Sequence, residues 1–212
     1  MLFRSKVSDF LGLPSEFAAN LYAAQCLCPP TSIQTPSDDP QINQIKREIH
    51  KLQVQKGNKE KLNLLDFGAG KGRLLSALQE ENWKDHIDYI AFEMEENEDL
   101  QRALETAYAT PEGKLYINLE NLLSKGKGQF DVVVMCNVLH EIDPSKWETT
   151  FSDIRKLLST DGVLLMVENQ VLSKGEKAYK NGFLVLDFTQ FQKLFSIEKY
   201  ACEADPKNPQ LK

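Results

Sequence analysis

The chain has 212 residues, 42% of them hydrophobic, which suits one α/β domain with a sizeable core plus some appended structure. A net charge of -6 and a pI of about 5.2 argue against a strong nucleic-acid binder, though they leave room for a local basic patch. No apolar run is long enough to span a membrane and the first residues, MLFRSKVSDFLGL, contain no uninterrupted secretory core, so the expected location is the cytoplasm.

Residues 1–27 read as helical, with Ser15 as a cap and Phe17, Ala18, Leu21 and Tyr22 on one face. The stretch 28–40, rich in proline and small polar residues, reads as a linker. Asp39-Pro40 then predicts an N-cap and first-turn proline for a helix whose apolar stripe is Ile42, Ile45, Ile49 and Leu52, ended by Gly57-Asn58. Residues 1–57 form an N-terminal extension on this reading, and 58–212 the main domain. Cys26, Cys28, Cys136 and Cys202 have no zinc-site spacing and read as reduced thiols, and no metal site is expected.

The main domain opens with the apolar run Leu62 to Leu65, ending at Asp66. Gly68, Gly70 and Gly72 follow at alternate positions, and Leu74, Leu75 and Leu78 resume at helical spacing. Strand, glycine turn and helix bring backbone amides and a helix N-terminus towards a nucleotide-like ligand. The turn lacks the Gly-Lys-Ser/Thr of a P-loop, and its third glycine comes one residue too early for the dinucleotide fingerprint. Further strands are expected at Asp88 to Phe92, ending in Glu93; at Lys114 to Leu119; at Val132 to Cys136 after Phe130-Asp131; and at Val163 to Val167, ending in Glu168. Asp143-Pro144 should cap a helix carrying Trp147, Phe151, Ile154, Leu157 and Leu158. Residues 170–182 read as a lysine-bearing surface loop. Phe183 to Phe188 reads as extended, Asp187 or Thr189 as a cap for a helix with Phe191 and Leu194, and Ile197 to Cys202 as a sixth strand.

The segment Asp66-Phe67-Gly68-Ala69-Gly70-Lys71-Gly72 resembles the first motif of class I S-adenosylmethionine (SAM) dependent methyltransferases, and the later elements occur in that family's order over residues 62 to about 200. The resemblance implies a Rossmann-like three-layer α/β/α sandwich with a mostly parallel sheet. A full sheet of this class has seven strands; the seventh has no counterpart here, so either the family lacks it or the chain is a piece of a longer protein. The cofactor implied is SAM, leaving as S-adenosylhomocysteine (SAH). Asp66, Gly68, Ala69 and Gly70 would surround its methionine part. Glu93 would take the ribose hydroxyls, with Met94 packing on adenine. Glu120 and Asn121, with Asn118 as an alternative, would lie near the adenine amine, and Asn137 is a further cofactor-binding candidate.

Val138-Leu139-His140-Glu141 and Val167-Glu168 resemble the base and its orienting acid in small-molecule O-methyltransferases, which implies His140 as general base and Glu168 as its partner; a structural histidine is the competing reading. The implied activity is methyl transfer to an O or N acceptor, a small molecule being favoured. RNA or protein acceptors, contacted by Lys174, Lys177 and Lys180, are an alternative, as is a SAM-binding domain without catalysis. An Asn/Asp-Pro-Pro-aromatic motif for amino methylation and a Pro-Cys pair for cytosine methylation are both absent.

Overall fold

The structure, a computed structural model, describes residues 39–57, 61–79, 83–169 and 185–194. The expected helix at 1–27, the linker before Asp39, the lysine loop and the sixth strand lie outside these residues. The described chain falls into two compact units.

The larger unit carries a five-stranded sheet of β1 (Leu62–Phe67), β2 (Ile87–Phe92), β3 (Leu115–Tyr116), β4 (Phe130–Cys136) and β5 (Leu158–Val167). The order is β3-β2-β1-β4-β5 and every pairing is parallel. This is the Rossmann-like α/β sheet expected from the sequence. β1 and β4 lie inside the sheet and read as near-continuous apolar runs, because strands covered on both faces have no polar side to show. Order reverses at β1, whose neighbours are β2 and β4, so the crevice at the carboxyl ends of these strands is the place where such sheets take ligands.

The helix α1 (Pro40–Gln55) begins as expected: Asp39 accepts the Gln41 amide at 2.9 Å, and Pro40 occupies the first turn. Its stripe of Ile42, Ile45 and Ile49 joins the same core as Leu64, Leu75, Tyr89 and Val132. Burying a side chain of this size contributes about 1.5–3 kcal/mol, so the stripe anchors α1 firmly. Between strands run α2 (Arg73–Gln79), α3 (Glu98–Ala107), α4 (Leu119–Gly126) and α5 (Trp147–Leu157). Asn97 caps α3 by accepting the Asp99 and Leu100 amides. Asp131, of the Phe130-Asp131 pair, accepts the Asn63 amide at 2.8 Å and the Lys56 ammonium at 2.7 Å, holding the entry of β1 against β4.

Several boundaries differ from the sequence reading. The third strand is only Leu115–Tyr116, because Asn118 caps α4 by accepting the Asn121 amide at 3.0 Å. Glu120 and Asn121 therefore sit in the first turn of a helix, not at a strand end. Leu158 starts β5 instead of ending α5, and β5 runs through Asp161-Gly162 with a register shift opposite Phe130 and Val132. Gly162 permits this: a Cβ there would lie 2.6 Å from the Phe130 carbonyl oxygen. Asp143-Pro144 caps a 3-10 turn, Pro144–Lys146, that runs into α5.

Among the described residues the smaller unit contains Leu139–Trp147, Glu168, Asn169 and residues 185–194, with α6 (Phe188–Leu194). The Trp147 indole donates to the Ile142 carbonyl at 3.0 Å. Residues 185–187 precede α6 without regular structure. The Asp187 carboxylate accepts the Gln190 amide at 2.8 Å, while the Gln190 side chain accepts the Asp187 amide at 2.9 Å. This reciprocal capping box makes Asp187, of the two candidates, the cap. No helix among the described residues is long and apolar enough to cross a membrane.

Candidate functional site

The turn after β1 uses its three glycines differently. All have positive φ, at 78, 54 and 76° for Gly68, Gly70 and Gly72. A Cβ on Gly68 would meet Val138 at 2.6 Å, and one on Gly72 would meet Leu100 and Ala103 at 3.2 Å. These two glycines let β4's exit and α3 pack against the turn. At Gly70 a Cβ would meet nothing within 4 Å, so this backbone faces open space and is approachable.

The turn's amides are mostly engaged inside the protein. Gly68 and Ala69 both donate to the Phe92 carbonyl, at 2.8 and 3.1 Å, and Gly72 donates to Ala69 at 2.9 Å. The Gly70 amide donates to the Glu93 carboxylate at 2.8 Å, which also accepts the Met94 amide at 2.9 Å. A carboxylate therefore stands where a phosphate-binding turn would offer a bare amide to an anion. In this position the Glu93 carboxylate can also accept ligand hydroxyls.

Glu93 ends β2 beside the end of β3, its amide donating to the Tyr116 carbonyl at 3.0 Å. Met94 is 56% exposed and Ile117, the residue after β3, 49% exposed. Two large apolar side chains thus stand open at the carboxyl ends of adjacent strands, next to an acid. Such a set fits a nucleoside, the carboxylate taking a diol and the apolar groups a flat base. The exposure of Ile117 was not legible in the sequence, where it belongs to the apolar run of its strand.

Asp66 sits differently from its neighbours in the motif. It is buried, and its carboxylate accepts the Tyr89 hydroxyl at 2.7 Å. Burial pushes its pKa up to about 6, while the Tyr89 hydrogen bond and the Arg73 charge pull it down and Glu93 raises it. Burial and the adjoining Asp66 carboxylate push Tyr89 well above the usual phenol range.

Asn137, at the end of β4, has φ 59°, the only positive value for a non-glycine among the described residues. Its side-chain amide pairs with Gln41: Gln41 Nε2 donates to Asn137 Oδ1, and Asn137 Nδ2 donates to Gln41 Oε1, both at 2.8 Å. Arg73, the first residue of α2, donates to Asp39 at 2.9 Å, Gln41 at 3.3 Å and the Cys136 sulfur at 2.8 Å. Gln41 and Arg73 carried no signal in the sequence, since the partners lie far away along the chain.

In the smaller unit, His140 and Glu168 meet. His140 Nδ1 lies 2.9 Å from Glu168 Oε2, and Glu168 Oε1 accepts the Leu139 amide at 2.7 Å. Both side chains are buried, at 5 and 6% exposure. With the carboxylate ionised, Nδ1 carries the proton and Nε2 the lone pair, the tautomer a general base requires. The structure brings together this expected pair, and it groups Gly70 and Glu93 with Met94. Glu120 and Asn121 lie in the first turn of α4, a few residues after Ile117. No group of His, Cys, Asp and Glu among the described residues is arranged to hold a metal ion.

Residues 65–164 match the family model described as a methyltransferase domain. Among solved structures, the chain is similar to the CurJ carbon methyltransferase at 18% identity and TM-score 0.59, over 80% of this chain and 52% of that one. The plantazolicin methyltransferase BamL, solved with a triazolic desmethylPZN analog and SAH, aligns at 15% identity and TM-score 0.53, over 92% and 72% of the two chains. The DszA carbon methyltransferase aligns at 20% identity and TM-score 0.51, over 66% and 38%. The chain spans about half the length of the CurJ structure. No curated protein sequence matches it.

Proposed function

We propose that this chain, in which residues 65–164 form the methyltransferase domain of a class I SAM-dependent enzyme, transfers a methyl group to an O or N acceptor on a small molecule, with His140 as general base. The observation carrying the base assignment is the buried His140–Glu168 pair at 2.9 Å, with the second Glu168 oxygen fixed by the Leu139 amide.

When bound, SAM supplies an electrophilic methyl on a sulfonium that leaves as a neutral thioether. Glu93, whose carboxylate accepts the Gly70 and Met94 amides, would receive the ribose hydroxyls. The exposed Met94 and Ile117 would pack on the adenine, and the open face of Gly70 would let the ligand approach the main chain. Glu168 fixes the tautomer and orientation of His140 and stabilises the imidazolium that forms when Nε2 takes the acceptor's proton. Asp66, Gly68 and Ala69 act through the shape of the turn, since the Asp66 carboxylate and the Gly68 and Ala69 amides bond within the protein.

A screen of phenols, carboxylic acids, amines and carbon acids, read as SAH formation with the methyl located in the product, tests the reading. Methylation on oxygen or nitrogen, lost in His140→Ala but with SAH affinity retained, is the expected result. Methylation on carbon would overturn the acceptor assignment, and unchanged turnover in His140→Ala would overturn the base.

A further inference from the structure

We infer that Gln41 is a positioning residue for the cofactor site: through Asn137 it sets the backbone that closes on the glycine turn. The inference rests on the methyltransferase reading above and adds to it a residue outside the matched span 65–164.

Gln41 lies in the first turn of α1 and is 4% exposed. A buried amide needs both its donor and its acceptor satisfied. Gln41 meets this by an edge-to-edge pair with Asn137, two hydrogen bonds of 2.8 Å running in opposite directions. That pair engages Asn137 at φ 59°, a left-handed conformation that asparagine tolerates better than most side-chain-bearing residues and that fixes the direction of the chain leaving β4. The next residue, Val138, occupies the space a Cβ on Gly68 would need, at 2.6 Å. A change in the path of Asn137 therefore moves Val138 against the first glycine of the turn. On the turn's other side, Arg73 directly follows Gly72 and is held by Asp39 at 2.9 Å. The start of α1 thus grips the turn from the end of β4 and from the start of α2.

Gln41 has no need to touch the cofactor in this scheme. A purely structural role would lower the stability of the free protein and leave affinity intact in the molecules that fold. A positioning role lowers affinity in folded protein, and the loss disappears once Asn137 no longer transmits it.

The test is calorimetric titration of the full chain with SAH for wild type, Gln41→Met, Asn137→Gly and the double variant, each with a thermal melt without ligand. Methionine keeps the length of glutamine without its hydrogen bonds, and glycine accepts the positive φ. Gln41→Met should weaken SAH binding about tenfold, or roughly 1.4 kcal/mol. The double variant should bind within about twofold of Asn137→Gly alone, a non-additivity expected of residues acting as one unit. Binding by Gln41→Met within twofold of wild type, or losses that multiply in the double variant, would overturn the inference. Should Gln41→Met fail to fold, Gln41→Glu keeps the contact to Arg73 but sets a carboxylate oxygen against Asn137 Oδ1, and the same two outcomes apply. A wild-type chain that does not bind SAH removes the methyltransferase reading itself, whereas wild-type binding with an unaffected Gln41 variant removes only the positioning role.

Discussion

The glycine turn after β1 and the His140–Glu168 pair both follow strands, and they are constrained in opposite ways. The turn is fixed by backbone: left-handed glycines, amides bonded to the Phe92 carbonyl, and neighbours packed where a Cβ would be. The pair is fixed by side chains: one carboxylate holding an imidazole and a main-chain amide in a buried place. A site made of backbone is most sensitive at its packed glycines, Gly68 and Gly72, and is reached by the few side chains that bear on its main chain, such as Glu93. A site made of two side chains keeps its fold when one is changed and loses its chemistry.

The largest effect should come from the pair. His140→Ala is expected to lower turnover by about 10²–10⁴-fold, the usual span for a lost general base, with SAH affinity within a few-fold of wild type. Equal loss of affinity would make His140 a part of the binding frame and erase the contrast. Gly68→Ala should do the reverse. Its Cβ overlaps Val138 and its φ is 78°, so stability should fall by roughly 1–3 kcal/mol in a denaturant melt and SAH binding should be lost.

A subtler break lies in Asp66, the acid of the same motif. Its folded pKa of about 6 exceeds the ordinary value of 3.8. The folded state therefore holds this proton more tightly than the unfolded state. Asp66's contribution is most favourable below about pH 4, declines as pH rises to about 6 and is constant above that. Asp66→Asn should remove this decline, a difference of order 2–3 kcal/mol between pH 4 and pH 7 in urea titrations. A parallel pH profile in the variant would show that the decline comes from other groups. The smallest effect is expected at Asn97, where Asn97→Ala removes the cap of α3 and should cost about 1 kcal/mol, read by the same titration, without touching SAH affinity.

The contrast also explains what could be read from the sequence. The strand–turn–helix at Leu62 to Leu78 was visible because apolar runs and glycine spacing are local signals, and the parallel sheet followed from alternating strands and helices. The α1 stripe of Ile42, Ile45 and Ile49 was equally plain. The third strand was overextended because Ile117 and Leu119 continue an apolar pattern, while the cap at Asn118 that ends it depends on one side chain's hydrogen bond. Leu158 satisfied the periodicity of α5 and the composition of β5 equally, and pairing with Phe130 settled it in the strand. Glu93 was expected beside the turn from its distance after the glycines, and its carboxylate does accept the Gly70 amide. The amide pair of Gln41 and Asn137 was invisible, since nothing in either residue's neighbourhood announces a partner so far along the chain.

The central claim is that the turn and Glu93 receive an adenosine bearing free ribose hydroxyls and no pyrophosphate. Calorimetric titration of the chain with SAH and with NAD, alongside Glu93→Ala, tests it most directly. SAH should bind, NAD should not, and Glu93→Ala should lose SAH affinity by tenfold or more. NAD binding as tightly as SAH, or SAH binding that Glu93→Ala leaves unchanged, would contradict it.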